Sequence, residues 1–88
     1  MKPFRERSIN GGVQKLYKFD NGYGASVIKH NGSYGHEVDK WELAVLLWRD
    51  TNNYDLDYST DITDDVLGYL DDEAVDVILT RIQLLEKK

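Results

Sequence analysis

The stretch Val13-Gln-Lys-Leu-Tyr-Lys-Phe-Asp-Asn-Gly-Tyr-Gly-Ala-Ser-Val27 decides the fold of this chain. In its first half, apolar side chains at odd-numbered positions lie on one side of an alternating pattern: Val13, Tyr17 and Phe19. In its second half the same holds for Tyr23, Ala25 and Val27. This period is typical of half-buried strands. Because Asn21 and Gly22 tolerate positive φ angles, the intervening turn favours type I′ geometry, and the stretch predicts an antiparallel hairpin.

The residues around this hairpin extend the prediction in both directions. Residues 1–11 mix charges with Pro3 and end in turn formers, which indicates a loosely ordered N-terminal arm and no core element before Val13. Gly24 interrupts the second strand, where a glycine marks a bulge or the close approach of another backbone.

Two more strands are predicted after the hairpin. Trp41-Glu-Leu-Ala-Val-Leu-Leu-Trp48 is apolar in both alternating sets, which is typical of a strand in the middle of a covered sheet, with a helix as the alternative. Tyr54-Asp-Leu-Asp-Tyr58 alternates strictly and predicts an edge strand. Its inward set is Tyr54, Leu56 and Tyr58. The outward carboxylates of Asp55 and Asp57 discourage pairing with another sheet.

The C-terminal third changes from the period of a strand to that of a helix. Thr63, followed by two carboxylates and the apolar stripe of Val66, Leu67 and Leu70, predicts the N-cap of a first helix. Asp71-Asp72-Glu73 repeats this start signal for a second helix. The apolar positions of the second helix recur at helical spacing: Val75, Ile78, Leu79, Ile82 and Leu85.

These elements predict one α+β domain over residues 1–88. The prediction is a three- to four-stranded antiparallel sheet within 13–58, with two C-terminal helices within 63–86 packed on one face. A chain of 88 residues suffices for one compact core. It contains no cysteine, which excludes disulfides, thiolate metal sites and cysteine nucleophiles. It also lacks an apolar run long enough for a bilayer, so secretion and membrane insertion are not expected.

Charge is unevenly distributed along the chain, whose net charge is −5. The first 49 residues carry about +3, whereas the remainder carries about −8. Such a surface selects basic partners and argues against direct binding of nucleic acid, which requires a basic stripe. The predicted partner-binding acidic face comprises Asp64, Asp65, Asp71, Asp72, Glu73 and Asp76. Helix capping and edge protection explain the same charges, and a surface that mimics DNA is the alternative.

One acidic pattern imitates the start of a calcium-binding loop. Asp55-x-Asp57-x-Ser59-x-Asp61 alternates oxygen ligands as such a loop does. Thr60 replaces the glycine required for the sharp turn, and Val66 replaces the bidentate glutamate. The outward edge of a strand explains the spacing, so we predict no metal site here.

A glycine-rich loop carries the two histidines of the chain. His30 and His36 flank it, and together with Tyr34 they are candidate loop contacts for a partner. Glu37 or Asp39 could pair with the imidazoles in a general acid–base arrangement, although no motif places these groups together. The sequence therefore predicts neither a catalytic residue nor a cofactor.

Four blocks are similar to blocks that occur in the same order in small bacteriophage and prophage proteins of unassigned role. They are Asn21-Gly-Tyr-Gly-Ala-Ser-Val27, Ser33-Tyr-Gly35, Trp41-Glu-Leu-Ala-Val45 and Ile62-Thr-Asp-Asp-Val-Leu-Gly-Tyr-Leu70. The resemblance covers about residues 21–85, and it departs at Asp61, where those proteins are expected to have a proline. It implies a phage origin and a location in the cytoplasm of the host bacterium, but no reaction.

Together these observations predict a non-enzymatic phage protein that binds and modulates a bacterial host or defence protein. The expected partner carries a basic groove of the kind that binds nucleic acid. A small metal-dependent or histidine–carboxylate hydrolase is the alternative. An edge strand or an uncovered sheet face could also support a homodimer.

Overall fold

The computed structural model describes residues 1–62 and 66–87, which form an α+β fold. Within these residues, a six-stranded antiparallel sheet precedes a single C-terminal helix, so the prediction of three or four strands and two helices is wrong. The elements are β1 (Arg5–Ile9), β2 (Gly12–Lys18), β3 (Tyr23–Lys29), β4 (Trp41–Trp48), β5 (Tyr54–Leu56), β6 (Leu67–Leu70) and α1 (Asp72–Gln83).

The sheet is a meander in the order β1-β2-β3-β4-β5, and β6 also pairs with β4. β5 pairs with Leu46–Trp48 and β6 with the Trp41–Leu43 end of the same strand, so both short strands lie along one edge of β4. The central position predicted for β4 is therefore confirmed. The two faces of β4 contribute to two different hydrophobic clusters. Leu43 and Val45 pack towards α1, whereas Leu46 and Trp48 pack on the opposite face.

The first additional strand lies in the segment predicted as a loose arm. β1 pairs along its whole length with β2, from Arg5 opposite Leu16 to Ile9 opposite Gly12. Four of its five side chains are exposed, so backbone hydrogen bonds rather than side-chain burial place it in the sheet. A hydrophobic pattern does not reveal a strand of this kind.

The second additional strand replaces the first predicted helix. Leu67–Leu70 pairs with β4 at Trp41 and Leu43, with an irregular register between them. Leu67 and Leu70 are three residues apart, a spacing that also fits a helix face, whereas Gly68 between them disfavours a helix. Pairing with the free edge of β4 prevails over the local pattern. The predicted N-cap at Thr63 lies outside the described residues.

The strand after β4 is shorter than predicted, and its inward and outward sides are partly reversed. β5 ends at Leu56, and Leu56 and Tyr58 are exposed while Asp57 is buried. Tyr54 packs against Trp48 with ring centroids 4.9 Å apart. Asp57 accepts hydrogen bonds from the backbone N and the Oγ of Ser59, at 2.8 and 2.5 Å, which satisfies its carboxylate near the sheet.

The second predicted helix is confirmed as α1. Its N-cap Asp71 accepts a hydrogen bond from the backbone N of Ala74 at 2.8 Å. Its buried side chains, Val75, Leu79 and Ile82, join the main core with the inward sides of β2, β3 and β4. Nowhere in residues 1–62 and 66–87 is there a helix with the length and apolar character to cross a membrane.

The hairpin turn at Asn21 also holds the C-terminal end of α1. Gly22 has a φ of 90° but Asn21 does not have a positive φ, so the predicted type I′ turn is wrong. The Asn21 amide instead donates to the carbonyl oxygens of Ile82, Gln83 and Leu85 at 2.9, 3.2 and 3.1 Å. Its Oδ1 accepts from the backbone N of Tyr23 at 3.0 Å. One side chain thus satisfies carbonyls that a helix end leaves unpaired.

Replacing Asn21 is therefore expected to loosen α1. Asn21→Ala should lower the free energy of unfolding by about 1 to 2 kcal/mol, because partly buried carbonyls lose their donor. Asn21→Asp should cost at least as much, since it keeps the acceptor for Tyr23 but puts a negative charge at the negative end of the helix dipole. Urea unfolding measures both variants. An Asn21→Asp protein as stable as the parent would contradict this role.

Candidate functional site

The loop between β3 and β4 is folded into a compact turn. Gly35 has a φ of 96° and precedes a short 3-10 helix, His36–Val38, which ends at Asp39 with a φ of 61°. The carbonyl oxygen of Gly35 accepts from the backbone N of Val38 at 3.1 Å and of Lys40 at 2.9 Å. This geometry directs the side chains of residues 36–39 outwards, and none of those in the 3-10 helix is buried.

β6 lies directly against this loop. The backbone N of Tyr69 donates to the carbonyl oxygen of Tyr34 at 3.4 Å. A Cβ at Gly68 would lie 2.7 Å from the Cβ of Tyr34, and one at Gly35 would lie 3.0 Å from the Cα of Tyr69. The two glycines therefore permit close contact between the loop and the strand. We call the exposed surface formed there by Tyr34, Val38 and Tyr69 the tyrosine face.

The tyrosine face is the largest concentration of exposed apolar side chains on this loop and strand. Tyr34 and Tyr69 are each 60% exposed, and Val38 is 56% exposed. Tyr69 also has a φ of 58°, in the left-handed region that a bulky residue rarely adopts. Such a conformation costs about 1 to 2 kcal/mol relative to a right-handed one. The protein therefore keeps an exposed aromatic ring where glycine would be less strained.

A polar contact ties the ring of Tyr69 to the loop. Its hydroxyl donates to Oε1 of Glu37 at 3.3 Å, and Nδ1 of His36 lies 3.3 Å from Oε2 of the same carboxylate. His30 instead directs Nδ1 to the carbonyl oxygen of Asn31 at 2.7 Å. In the described contacts, the two imidazoles share no partner. The structure thus brings Tyr34 and His36 together with Tyr69, whereas His30 has a separate local role.

The predicted acidic face has several distinct local environments. Asp64 and Asp65 lie outside the described residues. Asp71 caps α1, and Asp72 accepts a hydrogen bond from Nε1 of Trp41 at 2.7 Å. Glu73 is exposed in the first turn, and the side chain of Asp76 is 68% exposed. Helix capping accounts for Asp71, and Oδ1 of Asp76 lies 4.0 Å from the N-terminal ammonium of Met1.

The ladder between β4 and β6 brings the tyrosine face and the start of α1 to one end of the molecule. Trp41, which follows the loop, pairs with Leu70, which follows Tyr69 and precedes the helix cap. Two lysines of the basic half also lie here, with Nζ of Lys29 and of Lys15 at 4.2 and 4.9 Å from the ring centroid of Trp41. The acidic and basic halves of the sequence therefore meet around Trp41.

The acidic pattern that imitates a calcium loop does not converge on a point. Asp55 pairs with Arg49, with Oδ2 and NH1 2.9 Å apart, whereas Asp57 turns back to Ser59. Over the two described ranges, no three histidine, aspartate or glutamate side chains are placed to hold one ion. The spacing thus serves separate local contacts.

Sequence reasoning missed Tyr69 and Trp41 as members of the site. The sequence predicts Tyr69 inside a helix, and no residue pattern indicates that a tyrosine will adopt a positive φ. The sequence correctly predicts Trp41 in a core strand, but its indole contact to Asp72 spans 31 positions of sequence. Comparison of the chain with protein-family models, with curated proteins and with solved structures found no match.

Proposed function

We propose that this chain is a non-enzymatic, phage-encoded binding protein that docks onto a basic surface of a bacterial protein in the host cytoplasm and modulates its activity. The observation that carries the proposal is Tyr69, an exposed aromatic side chain held at a φ of 58°. Strained residues of this kind cluster at binding sites, where the surrounding structure holds them in place. Tyrosine is also among the side chains enriched at protein interfaces and in their hot spots.

The charges around the tyrosine face favour a basic partner. Glu37 is hydrogen-bonded to Tyr69, and the carboxylates of Asp71 and Glu73 follow it within four residues of the chain. An arginine of the partner can stack on a tyrosine ring and pair with a carboxylate at the same time. Carboxylates at the rim also accelerate encounter with a positive surface. The tyrosine face supplies contact area, and the carboxylates supply selection by charge.

Tyr69→Gly should separate stability from binding. Glycine adopts positive φ without strain, so the free energy of unfolding is expected to stay the same or rise by up to about 1 kcal/mol. Binding should weaken about tenfold or more, because an exposed anchor ring is lost. Urea unfolding measures the first quantity. Fluorescence anisotropy of a labelled short peptide of alternating Arg and Gly, used as the basic probe, measures the second.

Two comparisons make this experiment decisive. Val77→Ala removes an exposed side chain from the outer side of α1 and should leave peptide binding unchanged. Replacing Asp64, Asp65, Asp71 and Asp72 together by Asn should weaken binding and reduce its salt dependence, because four negative charges are lost. Asn at position 71 can still cap α1. Equal binding by the parent and Tyr69→Gly would refute the tyrosine face as the docking surface. Binding that does not respond to salt would refute the basic partner.

A further inference from the structure

β1 is the longest regular edge of the sheet, and its outer side is free. All five of its residues, Arg5–Ile9, pair with β2, and no other strand of residues 1–62 and 66–87 pairs with them. The other edges are shorter, since β5 has three residues and β6 has four with an irregular register. The outer side of an edge strand presents unpaired backbone N–H and C=O groups, which can pair with another extended chain.

Two arginines of β1 project from the side of the sheet that lacks α1. Arg5 is paired with Leu16 and Arg7 with Gln14, and directly opposed residues of antiparallel strands share one face. Leu16 belongs to the hydrophobic cluster on the side away from α1. Both arginines are exposed, and among the described residues neither forms an ion pair. Two positive charges therefore lie two residues apart along one edge.

Hydrogen bonds position Arg7 without using its terminal amino groups. Its Nε donates to Oε1 of Gln14 at 2.7 Å, and Gln14 donates to Oγ of Ser26 at 2.9 Å. Within the two described ranges, the terminal NH2 groups of Arg7 donate to no other residue. These are the donors that a guanidinium offers to a carboxylate. Arg7 is thus held against the sheet with its donors free for a ligand.

Carboxylates that could neutralise these arginines are distant or already engaged. Among strands β1–β5, whose residues are all described, the only carboxylate on this side of the sheet is that of Glu42. It lies three strands away from Arg7, at about 4.8 Å for each strand. Asp50 lies in the loop that Arg5 reaches through Asn52, and its carboxylate accepts hydrogen bonds from Asn52 and the residue after it. The charge beside the free edge therefore favours an anionic ligand.

We propose that β1 binds an extended acidic segment of a protein partner as an added antiparallel strand, with carboxylates at alternate positions opposite Arg5 and Arg7. Alternate residues of a strand are about 6.8 Å apart and share one face, so two carboxylates match the spacing of the two arginines. Backbone hydrogen bonds supply affinity, and the arginines select the charge of the segment. The residue between the carboxylates lies opposite Glu6, which favours a basic side chain there. This surface is independent of the proposed function, because β1 and the tyrosine face lie at opposite edges of the sheet.

A second copy of this chain fits the edge less well than an acidic segment. Two copies of β1 that pair along their full length, with Arg5 opposite Ile9, place the two Arg7 side chains opposite each other. Like charges that are directly opposed destabilise a strand pair. The charges that disfavour self-pairing are the same ones that favour carboxylates.

An acidic peptide able to form a strand tests the proposal. Acetyl-Thr-Glu-Lys-Glu-Thr-amide is titrated into isotope-labelled protein, and the backbone amide signals of β1 are followed by NMR, where saturable shifts are expected. Acetyl-Thr-Glu-Glu-Lys-Thr-amide has the same composition but no alternating carboxylates, so it should bind about threefold more weakly or worse. The first peptide, N-methylated at its three central residues, keeps every charge but loses those backbone donors. It should produce no saturable shift.

Two variants and one control identify the arginines as the selecting groups. Arg5→Gln and Arg7→Gln should each weaken binding of the alternating peptide about threefold. Arg81→Gln removes an exposed arginine of α1 and should leave binding unchanged. The comparison of peptides on the parent protein remains decisive if a variant folds poorly.

Four outcomes would overturn the proposal. No shift in β1 with the alternating peptide would show that the edge does not accept a strand, and equal shifts with its N-methylated form would indicate attraction of charges alone. A response of β1 to oligothymidylate but not to the peptide would indicate a nucleic acid as the ligand. Shifts of β1 that depend on protein concentration without peptide would indicate self-pairing.

Discussion

Leu79→Ala is expected to lower the free energy of unfolding by about 2 to 5 kcal/mol. Leu79 has no solvent-exposed surface and lies in the main core, between α1 and the sheet. Truncation removes buried methyl groups and leaves a cavity that a rigid sheet cannot fill. In a domain of this size, each kcal/mol lowers the Tm by about 4 to 8 °C. Urea unfolding followed by circular dichroism measures the change directly.

The same helix offers a matched control for this substitution. Leu84 follows the last turn of α1 and is 77% exposed, so Leu84→Ala should change the free energy of unfolding by no more than about 0.5 kcal/mol. Because the two Leu→Ala changes remove the same atoms, one buried and one exposed, their contrast reports the cost of losing a buried side chain. A Leu79→Ala protein as stable as Leu84→Ala would mean that α1 does not pack on the sheet through this side chain.

The core of the sheet could be predicted because burial and alternation coincide there. Val13 and Tyr17 share the side of β2 that faces the main core, and Phe19, one residue beyond the strand, packs against the same core. Tyr23, Ala25 and Val27 do so in β3. β4 was predicted as a central strand because both of its faces are apolar. In each case the polarity of a side chain matches its burial, so the sequence alone is enough to predict the strand and its inward side.

β1 could not be predicted because its side chains carry almost no burial signal. Arg5 and Arg7 are exposed, and the contacts that hold them are distant in sequence or polar. Arg5 NH2 donates to Oδ1 of Asn52 at 3.2 Å, and Nε of Arg7 donates to Oε1 of Gln14 at 2.7 Å. Gln14 in turn donates to Oγ of Ser26 at 2.9 Å. Tertiary hydrogen bonds define this strand, and they leave no period in the sequence.

β6 shows the opposite limit, where a clear local pattern indicates the wrong element. Leu67 and Leu70 fit a helical stripe, but a strand can also bury residues at this spacing when its register is irregular. The pairing of β6 with β4 is what places Tyr69 beside Tyr34. The error in the fold and the omission of Tyr69 from the candidate site therefore have one cause.

The acidic end also differs from what charge counting along the chain suggests. Asp72 is engaged by Trp41, and Lys15 and Lys29 lie against the same ring. A sequence with separated charges has thus folded so that two cations stand beside the start of α1. Asp76 in turn lies 4.0 Å from the N-terminal ammonium of Met1. We infer that selectivity for a basic partner depends on carboxylates away from these cations, such as that of Glu73, and on the ring surfaces of the tyrosine face.

Gly24→Ala is expected to lower the free energy of unfolding by about 3 kcal/mol, the upper part of the range for overpacking. The close approach predicted at this glycine is confirmed. A Cβ at position 24 would overlap the carbonyl oxygen of Tyr17 and lie 2.5 Å from Nε1 of Trp48. That carbonyl and that indole are themselves hydrogen-bonded at 2.9 Å. The obstacle is backbone at the hairpin end of the β2–β3 ladder, so the two strands would have to separate there.

Gly32→Ala is the matched control, because it adds the same methyl group at a site with no atom within 4 Å. Its φ of 95° makes alanine strained there, which costs about 1 kcal/mol without any steric overlap. Because only Gly32→Ala carries this strain, the difference between the two variants is a lower bound on the cost of the steric overlap at Gly24. The tyrosine face depends on the sheet that this contact holds together, so Gly24→Ala should also weaken capture of the arginine peptide in proportion to the unfolded fraction. A Gly24→Ala protein no less stable than Gly32→Ala would show that the two strands do not approach this closely.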